Sequence, residues 1–125
     1  MDVLVVEPNR TASNQMLKML SDAGFAPALA RDYRDARDRL KNDNFSAVIT
    51  AQRLGAYNGL QLAIWAAFRG FDAIVTTPDA DPVLDREAAN VGATTVVDPC
   101  HHPETLLAAL HRKHAGDVMT APLAS

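Results

Sequence analysis

The chain of 125 residues predicts a doubly wound α/β domain, a five-stranded parallel sheet with helices on both faces. Three observations lead there. Short apolar runs alternate with helical segments five times. Runs such as VLVV (3–6) and AIVTT (73–77) are apolar on both faces, as strands buried between two helical layers must be. The links between runs and helices are short, which suits strand–crossover–strand units in a parallel sheet. With 48% of residues hydrophobic, a chain of one-domain length can fill one core.

In chain order, VLVV precedes the helical TASNQMLKMLSDAG. APALA (26–30) precedes the charged RDYRDARDRLKND, where Tyr33, Ala36 and Leu40 at helical spacing make an amphipathic face. SAVIT (46–50) leads through a loop with two glycines into LQLAIWAAFRG. DAIVTT (72–77) precedes PVLDREAANVG, and ATTVV (93–97) precedes PETLLAALHRKHAG. Gly24, Gly70, Gly92 and Gly116 each follow a helical segment, where a left-handed closing residue is favoured. Pro82 and Pro103 fall in first turns, where a missing N–H costs nothing. Asn58-Gly59 is a turn signal ahead of the third helix. On that helix the spacing predicts an inward stripe of Leu60, Ala63, Ile64 and Ala67, with Leu62, Trp65 and Arg69 on another face and Phe68 on the flank. The domain is expected over 1–116, with 117–125 a loose tail lacking periodicity.

Composition excludes several classes. A net charge of −3 leaves no basic footprint for nucleic acid and no polybasic patch for a membrane surface. No apolar run approaches the roughly 20 residues of a membrane span, and MDVLVVEPNR is too short and acidic for a signal peptide. The single cysteine, Cys100, excludes a disulfide framework and suits a reducing compartment, so a cytoplasmic location is expected. Cys100, His101 and His102, taken with His111 and His114, do not match zinc-ligand spacing, and no metal site is expected. Burial would make Cys100 inert as a redox sensor.

In an open parallel sheet, ligands bind at the carboxyl ends of the strands. The residues leaving those ends are Glu7-Pro8-Asn9, Ala51-Gln52-Arg53, Thr77-Pro78 and Asp98-Pro99. Thr77 reads either as a functional hydroxyl or as a strand-end residue of high β propensity. Glu7 and Asp98 could together hold a cation, although solvation or a bond to a loop amide explains either more simply.

Five strand–helix units in this length, with VLVVEPN, ITAQRLGAYNGLQL, IVTTP and GATTVVDPCHHPETLL at their ends, resemble the receiver domain of bacterial two-component response regulators. The resemblance covers about residues 3–115 and rests more on spacing than on identities. It implies strand order 2-1-3-4-5, an acidic Mg²⁺-binding pair after strand one, a phospho-accepting aspartate after strand three, a hydroxyl after strand four and a lysine–proline pair after strand five. Matched position by position, Glu7 is the first acid and Pro8 replaces the second. Ala51 stands where the aspartate belongs. Thr77 is the hydroxyl. Asp98 replaces the lysine, and Pro99 is kept where the fold places a cis peptide. Thr95 falls at the aromatic switch position.

The losses have chemical meaning. Ala51 has no nucleophilic atom, and without acids at 8 and 51 the Mg²⁺ that neutralises phosphoryl oxygens loses its ligands. Asp98 would repel an acyl phosphate that a lysine attracts. The resemblance therefore implies an atypical single-domain receiver, a pseudo-receiver, acting in two-component or phosphorelay signalling by protein contact. It implies no enzymatic activity, no cofactor and weak or absent Mg²⁺ binding. The implied partners are a histidine kinase, another regulator or an output protein, with a homodimer also allowed and nucleic acid and membrane excluded. The expected contact residues are Leu62, Trp65 and Phe68 on the third helix, and Val83, Arg86, Glu87, Thr95 and Val97 on a face running over 83–91, 93–97 and 104–113. The alternative is a sensor that takes a small ligand into the emptied pocket. An enzyme of flavodoxin-like fold has least support, because no nucleophile–base pair or phosphate-cradling glycine loop stands at the strand ends.

Overall fold

The computed structural model describes residues 2–111. His114, Gly116, the end of the 104–113 contact segment and the tail 117–125 lie outside the described residues. The elements follow the alternation read from the sequence: β1 (Asp2–Val6), α1 (Arg10–Asp22), β2 (Ala26–Ala30), α2 (Tyr33–Asn42), β3 (Ala47–Ala51), β4 (Arg53–Leu54), β5 (Tyr57–Asn58), α3 (Gly59–Phe68), β6 (Asp72–Thr77), α4 (Pro82–Asn90) and β7 (Ala93–Val97). A last helix, α5, occupies residues 103–111. The five long strands form one parallel sheet in the order β2-β1-β3-β6-β7, the flavodoxin-like order expected.

Alternation along the strands feeds two cores, because successive side chains point to opposite faces. Val3, Val5, Ala47, Ile49, Ile74 and Val96 pack on one side with α1 and α5. Leu4, Val6, Val48, Ala73, Val75 and Ala93 pack on the other with α2, α3 and α4. Each helix seats a leucine exposed by 2% or less: Leu20, Leu40, Leu62, Leu84 and Leu106. Each such burial contributes about 1.5–3 kcal/mol, which outweighs the weak propensity of short helices. Four helices open on a capping side chain. Asn9 accepts from the Ala12 amide, Asp32 from Asp35, Asn58 from Leu60, and Asp81 from Val83 and Leu84.

Two features depart from the sequence reading. The loop after β3 contains a two-residue antiparallel ladder, β4 with β5, which pairs Arg53 with Asn58 and Leu54 with Tyr57. It presses Tyr57 flat against Tyr33 of α2, with ring centroids 4.4 Å apart. The second departure is the phase of α3. Its buried residues are Gly59, Leu62, Ala63 and Ala66, whereas Ile64 is 52% exposed and Ala67 faces solvent. The inward stripe is thus turned by about one residue from the expected one. Leu62, expected at a contact surface, is fully buried core. The cause lies in composition: GLQLAIWAAF has one polar residue, Gln61, so periodicity supplies no preferred face.

Arg69 closes α3 and reaches across to α2. Its guanidinium donates to the carbonyl oxygens of Leu40 and Lys41 (3.0 Å to the latter) and to Asn44 Oδ1 (2.8 Å), and it lies over the Phe71 ring. A planar cation at the carboxyl end of α2 satisfies carbonyls that the helix itself leaves unpaired and complements its dipole.

Candidate functional site

The carboxyl ends of β1, β3, β6 and β7 open into a cleft of about 1060 Å³, at the point where the strand order reverses. Glu7, Ala51, Thr77 and Asp98 all line it, together with Asn9, Gln52, Arg53, Asp79, Asp81 and Cys100. Four of the positions singled out in the sequence therefore converge. Pro8 is exposed on the loop between β1 and α1.

Glu7 follows the last β1 residue and is half-buried. Burial pushes its carboxyl above the usual range, opposed by a bond that its Oε2 accepts from the Asn9 amide at 3.1 Å. Ala51 ends β3, and its backbone is clamped on several sides. The Thr50 hydroxyl donates to the Ala51 carbonyl (3.0 Å), the Gln52 amide donates to the Thr76 carbonyl (2.9 Å), and the Gly59 amide donates to the Gln52 carbonyl (2.7 Å). The Ala51 methyl group brings no donor, acceptor or nucleophile to the cleft.

Thr77 is buried, and its hydroxyl donates to the Asp79 carbonyl at 3.0 Å. Asp98 follows β7 in the left-handed region, with φ of 47°. Its amide donates to the Thr77 carbonyl (2.8 Å), and its own carbonyl accepts from the amides of His101 (3.3 Å) and His102 (3.0 Å). Its carboxylate meets His101 Nδ1 at 2.9 Å. That hydrogen bond is the main reason the carboxyl is held below the usual range. The Asp98–Pro99 peptide is trans, since there is no cis bond among the described residues. This corrects the cis Pro99 inferred from the family resemblance. Asp98 itself makes the turn: an aspartate tolerates positive φ, and its carbonyl nucleates the loop into α5.

The cleft also gathers residues that strand-end reading missed. Cys100 is half-buried, its Sγ 3.9 Å from the Ala12 carbonyl, and its thiol is pushed up by burial and further by Glu7 and Asp98. A thiol held protonated is a poor nucleophile. Arg53, already read among the residues leaving the third strand, reaches the cleft from β4, a strand with no sequence signal beyond the neighbouring glycine. Asp81 is occupied as the α4 cap, which the Asp-Pro pair at a helix start foreshadows.

A Mg²⁺ ion needs several hard oxygen ligands. Glu7 is engaged by a loop amide, Asp98 by His101, and positions 8 and 51 supply no ligand atom from their side chains. Among the described residues, no group of three or more His, Cys, Asp or Glu is placed to hold a metal ion. The donor set does not fit the ion that the family resemblance implies.

The expected contact residues divide. Phe68 is 83% exposed, and Val83, Arg86, Glu87 and Val97 are also exposed. Trp65 is half-buried beside α2, with the Lys41 ammonium 5.0 Å from its ring centroid. Thr95 is half-buried, and its hydroxyl donates to the Asp85 carboxylate, which ties α4 to the edge strand. No helix of the described residues is long and apolar enough to cross a membrane.

No family model matches the chain, and no curated protein does. Solved structures do. A CheY-like response regulator receiver domain from Methanospirillum hungatei superposes with a TM-score of 0.80 at 20% identity, over 90% of this chain and 91% of that one. Chemotaxis protein CheY4 of Vibrio cholerae gives 0.79 at 26% identity, over 89% and 96%. A two-component response regulator from Clostridium difficile gives 0.78 at 14% identity, over 91% and 98%. The fold is that of CheY-like receiver domains.

Proposed function

We propose that this chain is a receiver-like domain of two-component signalling that works by protein contact and takes no phosphoryl group at the end of β3. One observation carries the reading: the residue that ends β3, in the floor of the cleft, is Ala51. Phosphoryl transfer to a protein needs a nucleophile in line with the phosphorus and a cation on its equatorial oxygens. Neither is supplied by Ala51, Pro8 and a paired Asp98. Mg²⁺ is accordingly expected to bind weakly or not at all. The contact surface includes the exposed Val83 and Glu87 on α4 and Val97 at the end of β7, two elements pinned together by Thr95 and Asp85. The test is incubation with Mg²⁺ and a small acyl-phosphate donor, followed by intact-mass measurement. No hydroxylamine-labile adduct should form, and beryllofluoride should leave the melting temperature unchanged. A stoichiometric adduct would overturn the reading.

A second reading is favoured by the volume of the cleft, which is ample for a small ligand. Gln52 and Arg53 line it from the segment after β3 and would supply a donor set for a polar molecule. A metabolite panel scored by thermal shift, repeated on Arg53→Ala, separates this reading from the first.

A further inference from the structure

The α3 surface carries apolar side chains that the fold does not cover. Ile64 and Phe68, one turn apart, form a ridge opposite the buried face, and they are 52% and 83% exposed. A helix apolar on every side is normally buried on every side. α3 lies between α2 and α4, and those neighbours differ in charge. On the α2 flank towards α3 stand Arg37, which lies against the Tyr33 ring, and Lys41, which lies over Trp65. On α4, Asp85 is turned away to Thr95 at the sheet edge. The opposite flank, towards α3, therefore carries the exposed Val83 and Glu87, one turn apart.

We propose that this face binds a second copy of the same chain, through a two-fold axis parallel to α3. That axis lays the ridge on its own image, Phe68 against Phe68 and Ile64 against Ile64. It also sets Arg37 and Lys41 on the α2 flank of each copy opposite Glu87 on the α4 flank of the other. Lys41 lies over Trp65, the seventh of the ten residues of α3, and Glu87 is the sixth of the nine residues of α4. Both helices start at the carboxyl edge of the sheet, so both charges stand in the later half of the face. A two-fold axis running across the helices would instead face α2 with α2 and cations with cations. The face contains both halves of its own complement, which is what an isologous interface requires.

Analytical ultracentrifugation of the full chain from micromolar to millimolar concentration tests this. A reversible dimer is expected. Phe68→Glu should raise its Kd by about 100-fold or more, with the melting temperature unchanged at concentrations low enough that both proteins are monomeric, because the side chain is exposed in the monomer. Lys41→Glu and Glu87→Lys should each weaken the dimer about tenfold, and the double reversal should recover most of that loss. Phe68→Cys in a Cys100→Ser background should form a disulfide between copies on mild oxidation. A monomer throughout, a dimer indifferent to Phe68→Glu, or a double reversal as weak as the singles overturns the proposal.

Discussion

A Cβ atom on Gly59 would stand 2.1 Å from the carbonyl oxygen of Ala51 and 3.0 Å from the Thr50 hydroxyl oxygen. The stretch between the end of β3 and the start of α3 is therefore closed by a glycine for want of space. That contact brings the α3 start down onto the strand end and sets the floor of the cleft.

Gly59→Ala should cost stability although alanine is the better helix former. The gain in helix propensity is at most about 1 kcal/mol, whereas a backbone shift to relieve such an overlap costs about 1–3 kcal/mol or more. Urea denaturation should show a net loss of at least about 1 kcal/mol. A variant as stable as the parent would mean the loop relaxes freely.

Arg69→Ala should destabilise by about 1.5–3 kcal/mol, since three acceptors at the end of α2 lose a charged donor together. Arg69→Lys should recover less than half, because an ammonium cannot reproduce the planar fork or the stacking on Phe71. Equal stability of the lysine variant and the parent would reduce the role of Arg69 to charge alone.

Glu7 makes a pH prediction. Its carboxyl is raised in the folded state by burial, so folding favours the protonated form. The ionised form then weighs against folding, fully above the raised value and not at all below the ordinary glutamate range near about 4.3. Glu7→Gln keeps an acceptor for the Asn9 amide and removes the charge. It should raise the melting temperature at neutral pH, with the difference from the parent fading as pH falls into that range. Asp98 has the opposite sign: its carboxyl is lowered, so its contribution is present at neutral pH and lost as pH falls below its ordinary range. A Glu7→Gln variant less stable than the parent at neutral pH would show that the bond to Asn9 outweighs burial.

Strand and helix placement was legible because it rests on patterns with strong physics. Runs such as VLVV and AIVTT have no polar face to turn outward, so a sheet covered on both sides is their only stable setting. The strand-end rule brought Glu7, Ala51, Thr77 and Asp98 together without any contact information. The phase of α3 was not legible, since Leu62, Ile64 and Phe68 are equally apolar and only the packing against β3 and β6 selects among them. The trans Pro99 was missed for another reason. The expectation came from a family pattern with a lysine before the proline, whereas Asp98 accepts a left-handed backbone and closes the loop with its own carbonyl. Arg69 shows the limit of spacing arguments, since its partners at Leu40, Lys41 and Asn44 lie in α2 and in the loop that follows it.

The proposed reading of the cleft makes a prediction about installing phosphoryl chemistry there. Ala51→Asp alone would place a carboxylate beside Glu7, with no second acid at position 8 and with Asp98 opposite. Too few ligands remain for Mg²⁺, and neighbouring carboxylates raise one another's pKa, so the new group would be a weak nucleophile. Pro8→Asp alone supplies a ligand without a nucleophile. Asp98→Lys alone supplies a counter-charge without either, and it gives up the His101 pair and a residue suited to φ of 47°. Only the three together provide nucleophile, metal ligands and counter-charge. Phosphate incorporation from a small phosphodonor should be negligible in every single variant and measurable in the triple variant, a strongly non-additive pattern. The double variant Ala51→Asp with Pro8→Asp is the informative intermediate. If it matches the triple variant, Asp98 is neutral to the reaction and its place in the cleft is purely that of a loop-former. If Ala51→Asp alone matches the triple, a carboxylate at the end of β3 is all that phosphorylation needs here, and Pro8 and Asp98 have no bearing on it.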